Sequence, residues 1–186
     1  MLLLLAAGVF AQKTTKAQQK EYNKALNAFM KVNTDTTTAM YFYKRGGIKQ
    51  DNFDFVGAYK DYTKSLELKP DNASAYYNRG LVLMDSKMYT DAIADFDKAL
   101  TIAPNKSEAY NNRGICKYEL FKYEDAIADY TLAINKNPAN AEAYNNRGIS
   151  KIKSGLQDDG CTDLHKAYES GDKKAMTNIK KFCNKK

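Results

Sequence analysis

Along most of the chain, apolar residues recur at spacings of three and four, and no stretch shows the alternation of a half-buried strand. Residues 73–86 place Tyr76, Tyr77, Leu81 and Met84 in such a pattern, and residues 89–103 do the same with Ala92, Ile93, Phe96, Ala99 and Leu100. A short polar turn lies between these stretches, so together they predict an antiparallel helical hairpin. Pro70, Pro104 and Pro138 close successive second helices, because proline has no amide hydrogen and disfavours helix in the residue before it. Asn72, Asn105 and Asn140 stand just beyond, where an asparagine side chain caps a helix or shapes a turn.

The hairpin is repeated. The prolines are 34 residues apart, and so are Arg45, Arg79, Arg113 and Arg147, each followed by a glycine: Gly46, Gly80, Gly114 and Gly148. Phe42, Tyr76, Tyr110 and Tyr144 keep the same step, as do Tyr62, Phe96 and Tyr130, whose place Leu164 takes in a fourth unit. Small residues form further columns, among them Ala58, Ala92, Ala126 and Gly160. A fixed period of this length predicts stacked helical hairpins that bury a continuous core. Glycine inside a helix costs about 1 kcal/mol against alanine. Its recurrence in one column therefore implies a close helix–helix approach that a larger side chain would prevent.

The arginine column puts a charge on a partly buried face and calls for a partner. Asp61, Asp95, Asp129 and Asp163 recur with the same step. Two pairings are open, because Arg79 and Asp95 are symmetric about the turn at residue 87, while Asp95 and Arg113 are symmetric about Pro104. Pairing between hairpins is expected, since Lys181 is placed to serve Asp163 in the same way. A row of arginines holding an anionic ligand is the alternative.

Residues 173–183 predict a last amphipathic helix with Ala175, Ile179 and Phe182 on one face, a cap over the final apolar surface. A weaker amphipathic stretch carries Ala25, Leu26, Phe29 and Met30 ahead of a polar linker, residues 33–38. The apolar run Leu2–Phe10 is too short to span a bilayer. It reads as an export signal over residues 1–11, with Gln12 opening the mature chain. No basic residue precedes the leucines, which leaves a plain apolar N-terminus as the other reading. Cys161 and Cys183 are symmetric about residue 172, so a hairpin there would bring them level for a disulfide in an oxidising compartment. Cys116 is expected as a small core residue.

The net charge of +7 suggests nucleic acid until it is divided. Residues 1–38 carry five bases against two acids, and residues 175–186 four bases and no acid; the body between is neutral, with no basic stripe. A single histidine, His165, argues against acid–base catalysis and excludes a histidine-rich metal site. No phosphate loop, dinucleotide fingerprint or nucleophile elbow occurs. No cofactor is expected, no stable membrane span, and no enzyme.

The runs Ala75-Tyr-Tyr-Asn-Arg-Gly, Ala109-Tyr-Asn-Asn-Arg-Gly and Ala143-Tyr-Asn-Asn-Arg-Gly, with Ala-Ile, an aromatic, Ala and Pro downstream, resemble tetratricopeptide repeats. The resemblance covers four units, residues 39–72, 73–106, 107–140 and 141–174, after an N-terminal segment, 12–38, and before a capping helix and basic tail, 175–186. It departs from the family in tyrosine where tryptophan is usual (Tyr76 and its equivalents) and arginine where leucine is usual. A further column, Lys49, Leu83, Lys117 and Lys151, stands where tyrosine is usual. The resemblance implies an all-α, right-handed superhelical solenoid of four helix-turn-helix units whose first helices line a concave groove. It implies a noncatalytic scaffold that binds a peptide or helix of another protein; the alternatives are a structural subunit of a cell-envelope assembly, or small-molecule binding or enzymatic use of the groove, and the export signal implies the bacterial periplasm or cell envelope. The groove residues it implies are Tyr43, Tyr77, Asn78, Leu81, Met84, Asn111, Asn112, Ile115, Tyr118, Asn145, Asn146 and Ile149. Family members that clamp a peptide carboxylate terminus use Lys and Asn in the first unit and Lys and Arg in the third. Here Tyr43, Gly47, Glu108 and Asn112 stand there, so no such clamp is expected.

Overall fold

The computed structural model describes residues 15–33 and 35–183, and every regular element among them is an α-helix. The expected leader lies outside the described residues. In chain order the helices are α1 Lys16–Val32, α2 Ala39–Asp51, α3 Phe55–Leu68, α4 Ala73–Asp85, α5 Tyr89–Ile102, α6 Ser107–Glu119, α7 Tyr123–Lys136, α8 Ala141–Lys153, α9 Gln157–Glu169 and α10 Ala175–Phe182. The chain divides into two compact units, one up to Ile102 and one from Ala103 onward.

The first unit holds α1 and two stacked hairpins, α2/α3 and α4/α5. Helices α1 to α4 start where a side chain can accept from an orphan amide. Thr15 and Gln18 form a reciprocal capping box at α1. Thr38 accepts from Tyr41 at α2, Asp54 from Gly57 at α3 and Asn72 from Ala75 at α4. The core runs through Ala58, Tyr62, Val82, Ala92 and Phe96, none of them measurably exposed. Helix α1 leans on this body and buries no residue of its own. Its contacts include the ring of Phe29 against Tyr41, 5.3 Å between centroids, and the Tyr22 hydroxyl, which donates to Asp54 Oδ2 at 2.9 Å. Burial, reinforced by Asp54, pushes the Tyr22 phenol up to about 12.

The second unit stacks α6/α7 on α8/α9 and ends in α10. Ala126, Ala133, Ala143, Leu164, Ala167 and Ala175 are fully buried, and Tyr130 and Ile179 nearly so. Asn140 caps α8 through Ala143, but Asn105 does not cap: the residue before α6 is Lys106, which makes no side-chain cap. The Asn105 carboxamide instead accepts from Lys136 Nζ at 2.8 Å. Helix α10 covers α9 through Ala175 and Ile179. Asn178 donates to Asn145 and Gln157 to the Phe182 carbonyl, at 2.8 and 2.6 Å. Cys161 and Cys183 are joined by a disulfide, with their Cα atoms 5.7 Å apart.

All four hairpin turns share one backbone device. Phe53, Lys87, Phe121 and Gly155 occupy one repeat column, and all four have φ between 59° and 87°. This left-handed region is open to glycine and strained for the other three.

Candidate functional site

The registry of each hairpin is set by its glycine. A Cβ built on Gly46, Gly80 or Gly114 would meet the ring of Tyr62, Phe96 or Tyr130 at 2.9, 2.8 and 2.7 Å. Each glycine therefore lies edge-on to a ring sixteen residues later. The residue before the glycine and the residue before the ring are then neighbours too, and these are the arginine and the aspartate.

Arg45, Arg79, Arg113 and Arg147 accordingly bind Asp61, Asp95, Asp129 and Asp163 of their own hairpin, each through Nε and Nη2 together. This corrects the expected pairing between hairpins. Lys181 serves no aspartate in that manner and lies over the Phe182 ring at 4.8 Å. Two of the arginines also reach the preceding hairpin, Nη1 of Arg79 donating to Thr63 and Nη1 of Arg147 to Thr131, both at 3.1 Å. The lysine column completes the cluster, with Lys49, Lys117 and Lys151 each 2.8 Å from the same aspartate as the arginine. The arginines also lie over the first-helix rings, Arg113 over Tyr110 at 5.4 Å and Arg147 over Tyr144 at 5.5 Å. The guanidinium groups are thus occupied by carboxylates, which fits a structural role.

With those charges held inside the hairpins, the first helices offer mainly apolar and amide side chains. In the first unit Tyr43 packs on Tyr62 and Tyr77 on Phe96, with centroids 5.9 and 5.8 Å apart. Asn78 donates to the Tyr43 hydroxyl at 3.2 Å, linking α4 to α2. Leu81 and Met84 are partly exposed.

In the second unit Ile115, Tyr118, Asn146 and Ile149 are brought together, with Glu119 and Tyr130, around a cleft of about 190 Å³. Tyr130 is a lining residue that its place in the repeated aromatic column does not announce. Its nearly buried ring, packed close against Gly114, also lines the cleft. Burial first, and nearby hydroxyl and acidic groups after it, push the Tyr130 phenol up strongly; Tyr118 is raised for the same reasons.

Two expected groove residues are not open surface. Asn111 is 3% exposed and Asn145 9%. Asn146 donates to Asn111 at 3.2 Å, and Asn145 accepts from Asn178 of α10. A helical wheel puts these asparagines on the groove face; the adjacent helix covers them and uses their amides as ties between layers. Asn112 is partly buried.

Other chemistry is sparse. His165 is exposed on α9. Cys116 is fully buried and its thiol is pushed up to about 12 by that burial, so it stays protonated and unreactive at neutral pH. Among the described residues no group of three His, Cys, Asp or Glu side chains could hold a metal ion. No described helix is long and apolar enough to cross a membrane.

Comparison with known proteins agrees with this architecture. Models described as tetratricopeptide repeat match residues 73–106 and 107–140, and one described as TPR repeat matches 54–87. No curated protein matches the chain. Among solved structures, a crystal structure of MamA is 25% identical, covers 87% of this chain and 95% of its own, and superposes with a TM-score of 0.76. YrrB, described as a TPR protein with an unusual peptide-binding site, is 21% identical over 89% of this chain and 86% of its own, TM-score 0.75. The first TPR of Spaghetti (RPAP3), bound to the HSP90 peptide SRMEEVD, is 25% identical over 65% of this chain and 96% of its own, TM-score 0.62. Periodicity, hairpin geometry and these matches agree that the chain is an all-α helical-repeat protein carrying tetratricopeptide repeats.

Proposed function

We propose that the chain is a noncatalytic protein-interaction scaffold that holds a peptide or helical segment of a partner on the face of its first helices. The observation that carries this is the cleft of the second unit. Ile115, Tyr118 and Ile149 leave apolar area partly open, and they converge with Asn146 on one concave cleft, unlike the singly exposed Phe121 or Leu156. An extended segment or an amphipathic helix gains by covering such area. Peptide binding by YrrB and by the RPAP3 repeat is a property of those proteins and lends the reading support by likeness.

Export to the periplasm or cell envelope is part of the proposal. A disulfide between Cys161 and Cys183 persists where thiols are not kept reduced. Counting free thiols on denatured protein isolated from the native compartment tests this part; one thiol, that of Cys116, is expected, and three would overturn it.

Binding is tested by panning a random peptide library displayed on phage against the folded protein. Ile149→Ala combined with Tyr118→Ala, both in the cleft, should weaken the selected peptides about tenfold or more while leaving helicity and Tm nearly unchanged. If the double variant unfolds the chain, these side chains belong to the core and the groove assignment fails.

A further inference from the structure

Resting on that reading, we infer that the second unit selects a basic partner segment: an extended stretch with one apolar anchor residue and lysine or arginine beside it. The cleft walled by Ile115, Tyr118, Tyr130 and Ile149 has room for one aliphatic or aromatic side chain. Its only charged lining group is Glu119, at the exposed end of α6.

A second cleft of about 450 Å³ adjoins it, for Asn146 lines both. This one carries Glu142 and Asp172 against a single ammonium, that of Lys174. The two linings together thus present three carboxylates and one cation. Glu119 and Glu142 have no ion-pair partner among the described residues, and Asp172 has only the backbone amide of Lys174. Four cations of these helices are already committed, Arg113 and Lys117 to Asp129, and Arg147 and Lys151 to Asp163.

The linings of the two clefts are therefore acidic on balance even though the chain as a whole is basic. Uncommitted carboxylates beside an apolar recess favour a ligand that brings its own positive charge and disfavour one ending in acids. Burying the anchor supplies affinity, and the carboxylates select which anchored segments are retained. A peptide of the SRMEEVD kind, which RPAP3 binds, would meet like charge here.

The test uses fluorescent ten-residue synthetic peptides of glycine and serine, each with one leucine flanked either by lysines or by glutamates, titrated by anisotropy into the full oxidised protein. The lysine peptide should bind at least about tenfold more tightly than the glutamate peptide, and the preference should shrink as salt rises. Glu119→Gln with Glu142→Gln should erase most of that preference at unchanged Tm, and Ile149→Ala should weaken both peptides together. Glutamate peptides that bind equally well or better, still lost with Ile149→Ala, would overturn the charge selection while leaving the scaffold reading intact. Binding that ignores Ile149→Ala, or no binding of any library peptide at this face, would overturn both. If the chain associates with itself in solution and the lysine peptide dissolves that association, the occupant is a second copy, and the inference of a foreign partner fails.

Discussion

In the third hairpin, α6/α7, the ring of Tyr130 lies across Gly114, whereas in the fourth, α8/α9, the smaller Leu164 stands in the ring's place. The space is not left empty. A Cβ on Gly148 would meet the carbonyl oxygen of Gly160 at 2.8 Å, and one on Gly160 would meet the Gly148 oxygen at 2.6 Å and Ile152 at 2.5 Å. Backbone has moved in where the aromatic ring is missing. The loss of a ring at 164 and of alanine at 160 are therefore one coordinated change, because a smaller filler needs a closer approach and a closer approach needs glycine. The fourth hairpin also lacks the closing proline, and there the disulfide and α10 hold its second helix instead.

What the two hairpins share is the charge cluster, and its removal should have the largest effect. Asp129 and Asp163 are 2% and 5% exposed, and each is ion-paired with one arginine and one lysine. Asp129→Ala or Asp163→Ala would leave two cations facing each other in a dry setting, a loss of about 3–5 kcal/mol in urea unfolding. Similar losses at both sites would mean that the cluster is indifferent to how the helices are spaced. A loss below about 1 kcal/mol at either would show that its carboxylate behaves as a solvated surface group.

The next effect separates the hairpins. Replacing Cys161 and Cys183 by serine opens a loop of sequence separation 22, worth about 3 kcal/mol by chain entropy. Amides of α10 should then exchange faster with solvent under native conditions. Cys116, buried in the third hairpin, should stay unreactive to thiol reagents, since its burial keeps the thiol protonated. Rapid labelling of Cys116 in that variant would show that the staple supports the whole second unit and not the fourth hairpin alone.

Much of this was legible in the sequence. The 34-residue step names the hairpins, and the glycine column marks the close contacts. The offset from Gly80 to Phe96 equals that from Arg79 to Asp95, so the correct ion pairing was already written in the columns; two symmetric midpoints hid it, because distance from a turn gives height along a hairpin and not which neighbour a side chain faces. The groove was legible only in part. Helical periodicity places Asn111 and Asn145 on the same face as Ile115 and Ile149, but whether a face stays open depends on the next layer, which periodicity does not describe. The acidic balance of the two clefts was hidden for a related reason: it depends on which lysines are already spent on Asp129 and Asp163.

Exchanging the two packing solutions sharpens the comparison. Gly160→Ala in the fourth hairpin puts a methyl group against backbone and should cost about 1–3 kcal/mol through overpacking. Gly160→Ala with Leu164→Tyr rebuilds the third hairpin's arrangement around Gly148, where a ring can hold the helices farther apart. A double-mutant cycle should give a favourable coupling of about 1 kcal/mol. Strict additivity would mean that the two positions changed independently and that the coordinated reading is wrong.

The smallest effect concerns the turns, where the hairpins differ by one residue in the same strained conformation. Phe121 has φ 61° and is 77% exposed, while its equivalent Gly155 has φ 87° with open space around it. A bulky side chain in the left-handed region costs about 1 kcal/mol against glycine, and Phe121 recovers part of that through its edge contact with Tyr123 at 6.3 Å. Phe121→Gly should therefore raise stability by only about 0.5 kcal/mol, and Gly155→Ala should lower it by about 1 kcal/mol, although no atom obstructs the new methyl group. If Gly155→Ala were neutral, backbone conformation at this column would carry no energetic weight. The glycine of the fourth turn would then reflect a tolerance for any residue, and not a relief of strain that the other three turns bear.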